Sequence, residues 1–158
     1  RLEVASLYEA DKRIDSAIGQ YEILNSQENA PLFAANNLAM LLVTYREDPA
    51  SLERAAEVAE SLRGTTNPLF MDTLAWVYFN RDQVDLALPL MKEAASRAPD
   101  VAQINYHLAL ALHSKQEYGS AMRYLEKALG SEQGFVGKRH AEELLMTLQS
   151  QSSASTDA

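Results

Sequence analysis

The sequence contains no cysteine, which excludes disulfides, thiolate metal sites and a cysteine nucleophile together. Proline and glycine are scarce, five and six in 158 residues, too few for a fold built on tight turns. No apolar run approaches the roughly 20 residues that a membrane-spanning helix needs. The stretch RLEVASLYEADKR alternates charged with apolar positions and contains no signal-peptide core. An export signal or lipid anchor is expected only on a part of the protein outside this sequence. Positive charge is also short: 14 Lys and Arg stand against 22 Asp and Glu, a net charge of −8. Nucleic acid and anionic lipid both demand clustered basic side chains. Neither is therefore an expected partner, and this chain is not expected to insert into a membrane.

Signatures of chemistry are missing as well. There is no G-x-x-x-x-G-K-[ST] or G-x-G-x-x-G phosphate loop, and no serine sits in a G-x-S-x-G elbow. His107 and His113 are six residues apart, not the i, i+4 pair of a helical zinc site, and no third ligand is near in sequence. His140, beside Lys138 and Arg139, reads as a surface residue. Acidic pairs such as Glu142 and Glu143 fall on exposed helix faces, whereas catalytic carboxylates oppose one another in a cleft. The sequence thus predicts no catalytic residue, no metal site, no cofactor and no enzyme.

What the chain does have is a repeat. The stretches NNLAMLLV (36–43), DTLAWVYF (72–79) and NYHLALAL (105–112) align on Leu38-Ala39, Leu74-Ala75 and Leu108-Ala109, 36 and then 34 residues apart. Behind two of them lies a second helical pattern with apolar residues at i, i+4 and i+7: Ala87, Met91 and Ala94, then Ala121, Leu125 and Ala128. Ala17, Tyr21 and Leu24 show the same spacing near the front. Small residues let antiparallel helices approach closely while large ones fill the gap beside them. Polar turn sequences, REDPAS, NRDQ and SKQEYG, stand where each hairpin must reverse. Pro89 falls inside a second helix, where it removes a backbone bond, and predicts a local kink.

A period of 34 with this pattern resembles the tetratricopeptide repeat, W-x2-L-G-x2-Y, A-x3-F, A, P. The unit from Pro68 matches at Leu74, Tyr78, Ala87, Ala94 and Pro99; the unit from Ala102 matches at Leu108, Ala121 and Ala128. The unit from Leu32 is degenerate, with extra residues in TYREDPAS and RGTTN. The resemblance implies an all-α, right-handed solenoid of helical hairpins. Its expected divisions are a partial unit over 1–31, a degenerate unit over 32–67, and units over 68–101 and 102–135. A capping helix over 136–150 covers the last apolar face, and a small, polar, disordered tail follows over 151–158.

The family's first-helix positions 2, 5, 9, 12 and 13 face a concave groove. Carried over residue by residue, they place Asn36 and Met40, then Asp72, Trp76, Phe79 and Asn80, then Gln103, Tyr106, Leu110 and His113 on that surface. Asn37 holds the position where the family often uses asparagine to grip an extended peptide, although Thr73 and His107 replace it in the following units. The basic residues with which co-chaperone members clamp a carboxylate tail are replaced by Asn, Asp, Thr, Tyr and His. The implied partner is a protein or peptide segment, and an acidic chaperone tail is not it. Trp76 either anchors such a segment or fills space between adjacent first helices. A carbohydrate-binding module, with a sugar stacked on Trp76 and Tyr106, or an enzyme adaptor in polysaccharide export is a further reading, as is a spacer whose groove is unused.

The phrases NNLA-LL, DTL-WV and YHLA-AL, in that order, also resemble the C-terminal repeats of bacterial lipoproteins associated with exosortase and PEP-CTERM sorting. That likeness implies a scaffold, periplasmic or anchored to the outer membrane, acting in protein sorting or exopolysaccharide production. An exposed edge at the partial first unit also makes self-association an expected possibility for this chain.

Overall fold

The computed structural model describes residues 1–156, with the backbone alone at Leu2. All regular structure among them is helical: α1 (Leu2–Ala10), α2 (Ile14–Asn25), α3 (Leu32–Tyr45), α4 (Pro49–Ala59), α5 (Pro68–Asn80), α6 (Val84–Arg97), α7 (Ala102–Ser114), α8 (Tyr118–Leu129) and α9 (Lys138–Thr156), with a 3-10 turn at Glu60–Leu62 after α4. The chain divides into two compact units, Arg1–Ala87 and Leu88–Ala158.

In the first unit, α1 pairs with α2 and α3 with α4, while α3 also packs on α2 and α5. The small residues Ala17, Ala39, Ala55, Ala59 and Ala75 are fully buried at these crossings, beside the large buried side chains Tyr21, Leu38, Leu62 and Leu74. In the second unit α7 pairs with α8, and α8 packs on α9. Leu108 and Leu112 of α7, Leu125 of α8 and Ala141 and Leu148 of α9 are buried there. Ala87, Met91 and Ala94 of α6 are wholly buried, as their spacing requires.

Three hairpin turns share one backbone solution. Lys12, Asp82 and Gln116 adopt φ of 57°, 58° and 63°. The following N–H groups of Arg13, Gln83 and Glu117 donate to the carbonyls of Tyr8, Tyr78 and Leu112 at 2.8, 2.9 and 2.9 Å. This is the left-handed helix ending normally given to glycine, here occupied by side chains that pay a steric cost. The α3–α4 connection differs, because Arg46 leaves the helix in extended conformation. Asp48 then starts α4 by accepting from the Ser51 N–H at 2.9 Å, with Pro49 in the first turn. Hydrogen bonds from the Ser51 hydroxyl and backbone N–H hold the Asp48 carboxyl below its ordinary pKa. Asn67 opens α5 in the same way, accepting from the Leu69 N–H at 2.9 Å ahead of Pro68.

α6 continues through Pro89 to Arg97. The proline has no N–H to give to the helix ladder, and it stands on the exposed side of α6. α9 begins at Lys138 and extends to Thr156. It therefore includes most of the stretch expected to be a disordered tail, where serine and threonine hydroxyls such as Ser153 and Thr156 bond back to the carbonyls of Gln149 and Ser152 at 3.1 and 3.0 Å. Residues 157 and 158 of that stretch lie outside the described residues.

Candidate functional site

The first unit contains a polar chain that crosses its helices. The Tyr21 hydroxyl, on α2, donates to a Glu9 carboxylate oxygen on α1 at 3.0 Å and accepts from Asn37 Nδ2 at 2.8 Å. Asn37 Oδ1 in turn accepts from Asn36 Nδ2 at 3.0 Å, and Asn36 Oδ1 accepts from the Thr73 hydroxyl of α5 at 2.6 Å. Tyr21 is fully buried, and that burial raises its phenol pKa. Each carboxamide oxygen accepts from a neighbour in the chain, so both amides are fixed in orientation with N–H groups left to offer. Two adjacent side chains that present donors suit the carbonyls of an extended backbone.

One turn further along these helices the surface becomes apolar. Met40 is half-buried on α3, as are Trp76 and Phe79 on α5. Trp76 and Phe79, three residues apart, stack with ring centroids 5.2 Å apart and planes 10° from parallel. Asn80 donates back to the Trp76 carbonyl at 2.8 Å, so its amide finishes the helix. Asp72 is only 3% exposed. Its expected place on an open surface is corrected: its turn of α5, with Met71, Thr73, Leu74 and Ala75, is buried.

On α7, in the second unit, Leu110 and His113 are half-exposed, and the His113 ring lies 5.5 Å from Tyr118. Tyr106 is 6% exposed, and it too departs from the open position expected of it. The connection from α8 to α9 and the first turn of α9 cover it, with the Phe135 ring at 5.3 Å and His140 Nδ1 at 2.8 Å from the phenol oxygen. The Gln103 side-chain amide accepts from the Val136 N–H at 3.1 Å and donates to the Val136 carbonyl at 3.2 Å in the same connection. The repeat pattern gave these covering residues no role: its last matched position is Ala128, and the last helix, expected from 136, begins only at Lys138.

Elsewhere, a cleft of about 270 Å³ lies between the α2–α3 connection and α4, with Arg54 on its wall. Glu22 grips Arg54 through two bonds of 3.0 and 2.7 Å and Glu57 adds a third at 3.1 Å, so its charge is already compensated. Among the described residues no three His, Cys, Asp or Glu side chains gather as metal ligands. No helix there is long and apolar enough to cross a membrane.

Residues 102–134 match the family model of the tetratricopeptide repeat. Solved structures extend that likeness over the whole chain. A structure of MamA MSR-1 superposes with a TM-score of 0.67 at 18% identity, covering 98% of this chain and 86% of that one. A crystal structure of MamA protein gives 0.62 at 18%, covering 93% and 78%. YrrB, described as a TPR protein with an unusual peptide-binding site, gives 0.62 at 16%, covering 96% and 76%. The chain has the tetratricopeptide-repeat fold. No curated protein matches it by sequence. In the terms of this fold, α1, α3, α5 and α7 are first helices and α2, α4, α6 and α8 second helices. The first helices α3 and α5 pack on each other, and Asn36 meets Thr73 across that contact.

Proposed function

We propose that this protein is a non-catalytic interaction scaffold that holds an extended partner segment on the face formed by α3 and α5. The observation that carries this reading is the pairing of the two features there: carboxamides of Asn36 and Asn37 locked with N–H groups to offer, and the stacked, half-buried Trp76 and Phe79 beyond them. The amides suit a backbone and the aromatic pair suits one large apolar side chain, the residue type that dominates interface energies. The charge of −8 favours a neutral or basic segment over an acidic one. Leu110 and His113 of α7, both half-exposed, are proposed as partner contacts as well. The sugar reading is less well supported, since Tyr106 is covered and Trp76 already stacks on Phe79. A role in bacterial envelope protein sorting or exopolysaccharide production is part of the same proposal, supported by the sequence phrases that resemble exosortase-associated repeats.

Selection of peptides from a random library on the full chain tests this. Peptides so obtained are expected to lose about tenfold or more in affinity for Trp76→Ala, roughly 1.4 kcal/mol or above, and to weaken with Asn37→Ala. Unchanged circular dichroism establishes that each variant is folded. Failure to select any peptide, or equal affinity for parent and variants, would remove the α3–α5 face from consideration.

A further inference from the structure

The carboxylates of the first two helices differ in what answers them. Asp15 of α2 pairs with Arg46, and Glu22 of α2 holds Arg54 through two bonds of 3.0 and 2.7 Å. Arg13, at the start of α2, lies over the Tyr8 ring at 4.5 Å from its centroid. Glu9 of α1 has no cation of its own: among the described residues no ion pair includes it. It is half-buried, and a neutral group holds it, the Tyr21 hydroxyl donating to one carboxylate oxygen at 3.0 Å. The other oxygen accepts no hydrogen bond among the described residues. A charge partly withdrawn from water and left without its opposite is a cost that a cation relieves.

Tyr21 also fixes where that charge stands. The phenol oxygen that donates to Glu9 accepts from Asn37 Nδ2 at 2.8 Å, so one oxygen atom separates the carboxylate from the carboxamide. Asn36 follows Asn37 in the chain of bonds and leads to Thr73 of α5, the helix that carries Trp76 and Phe79. In the order of the hydrogen bonds, the two amides therefore stand between the carboxylate and the helix of the aromatic pair.

We infer that Glu9 is a specificity residue of the α3–α5 face, and that it takes a lysine or arginine side chain of the partner segment. The inference rests on the reading proposed above for that face and adds to it one residue, one charge and one order along the partner. The basic residue and the large apolar residue lie on opposite sides of the stretch held by Asn36 and Asn37. An ammonium or guanidinium makes a charge-assisted bond to the open carboxylate oxygen, whereas an acidic side chain at that place meets like charge.

Random-library peptide selection on the full chain, repeated on Glu9→Gln and Glu9→Lys, is the test. Glutamine keeps an oxygen for the Tyr21 hydroxyl and removes only the charge, and circular dichroism establishes that both variants are folded. Expected from the parent are peptides with Lys or Arg at a constant spacing from an aromatic or large aliphatic residue. These should bind Glu9→Gln about fivefold more weakly. Their affinity for that variant should also fall less steeply with salt, which a purely structural loss does not produce. Glu9→Lys should select Asp or Glu at the same spacing. Parent peptides that lack the basic residue, or that carry it and bind Glu9→Gln equally well, would overturn the inference and leave the α3–α5 reading in place. If no peptide is selected, that reading fails, and N-acetylarginine methylamide titrated by NMR decides the role of Glu9 alone. Shifts of the Asn37 side-chain amide in the parent and none in Glu9→Gln uphold that role; no shift in the parent, or equal shifts in both, overturns it.

Discussion

Single residues decide how the first unit holds its polar groups. Tyr21 sits at the apolar i, i+4 spacing of a second helix, and its ring is core while its hydroxyl organises Glu9 and Asn37. Tyr21→Phe leaves both partners short of a bond inside the fold and is expected to cost about 1–2 kcal/mol, read from urea unfolding. Burial raises the phenol pKa of Tyr21 and of Tyr106. The unfolded chain, with ordinary tyrosines near pH 10, then loses those protons first as pH climbs. Stability is expected to be level below about pH 10 and to fall above it, with a smaller fall in Tyr21→Phe. The sequence displayed these tyrosines as repeat positions, but not the burial of Tyr106, since the residues that cover it follow the last matched position of the repeat pattern, Ala128.

Among the elements, the turns and caps carry the next set of consequences. The positive φ at Gln116 is held by a long, unbranched side chain where glycine has no steric cost. Gln116→Gly is expected to raise stability by up to about 1 kcal/mol, the steric relief being partly offset by the looser unfolded chain. Asn67→Ala, which removes the cap of α5, is expected to lower it by about 1 kcal/mol. Thermal melts in parallel check both. NRDQ and SKQEYG marked these turns with no glycine at the left-handed position, so the sequence located the reversals while the left-handed residue within each was visible only in the backbone. α9 shows the opposite case: polar composition predicted a tail after residue 150, yet a helix already propagating adds one bond per residue and continues to Thr156.

At the scale of the whole molecule, the buried side chains are mostly alanines with a few large residues beside them, so each large buried side chain matters. Leu125, wholly buried on α8, fills the space left by the alanines around it. Leu125→Ala is expected to cost about 2–5 kcal/mol, with hydrogen exchange rising through α7, α8 and α9, the helices it packs among. Charge acts at this scale too. With a net charge of −8, the chain is expected to show no retention on heparin and no binding to anionic vesicles near physiological salt.

By itself the sequence determined the all-α repeat, the helices, and which residues are small and which large at their crossings. It could do so because a 34-residue period and a 3.6-residue face are properties of order along the chain, repeated often enough to be read without knowing any contact. Only the tertiary structure decided which first-helix side chains remain available. Asn36 and Asn37 are oriented by Tyr21 and Thr73, which are far from them in sequence, Trp76 lies flat on Phe79, Asp72 is buried, and Gln103 and Tyr106 are covered by a segment some 30 residues away. A groove position states a direction from the helix axis. Whether that direction ends in solvent or against another part of the chain is settled by packing alone.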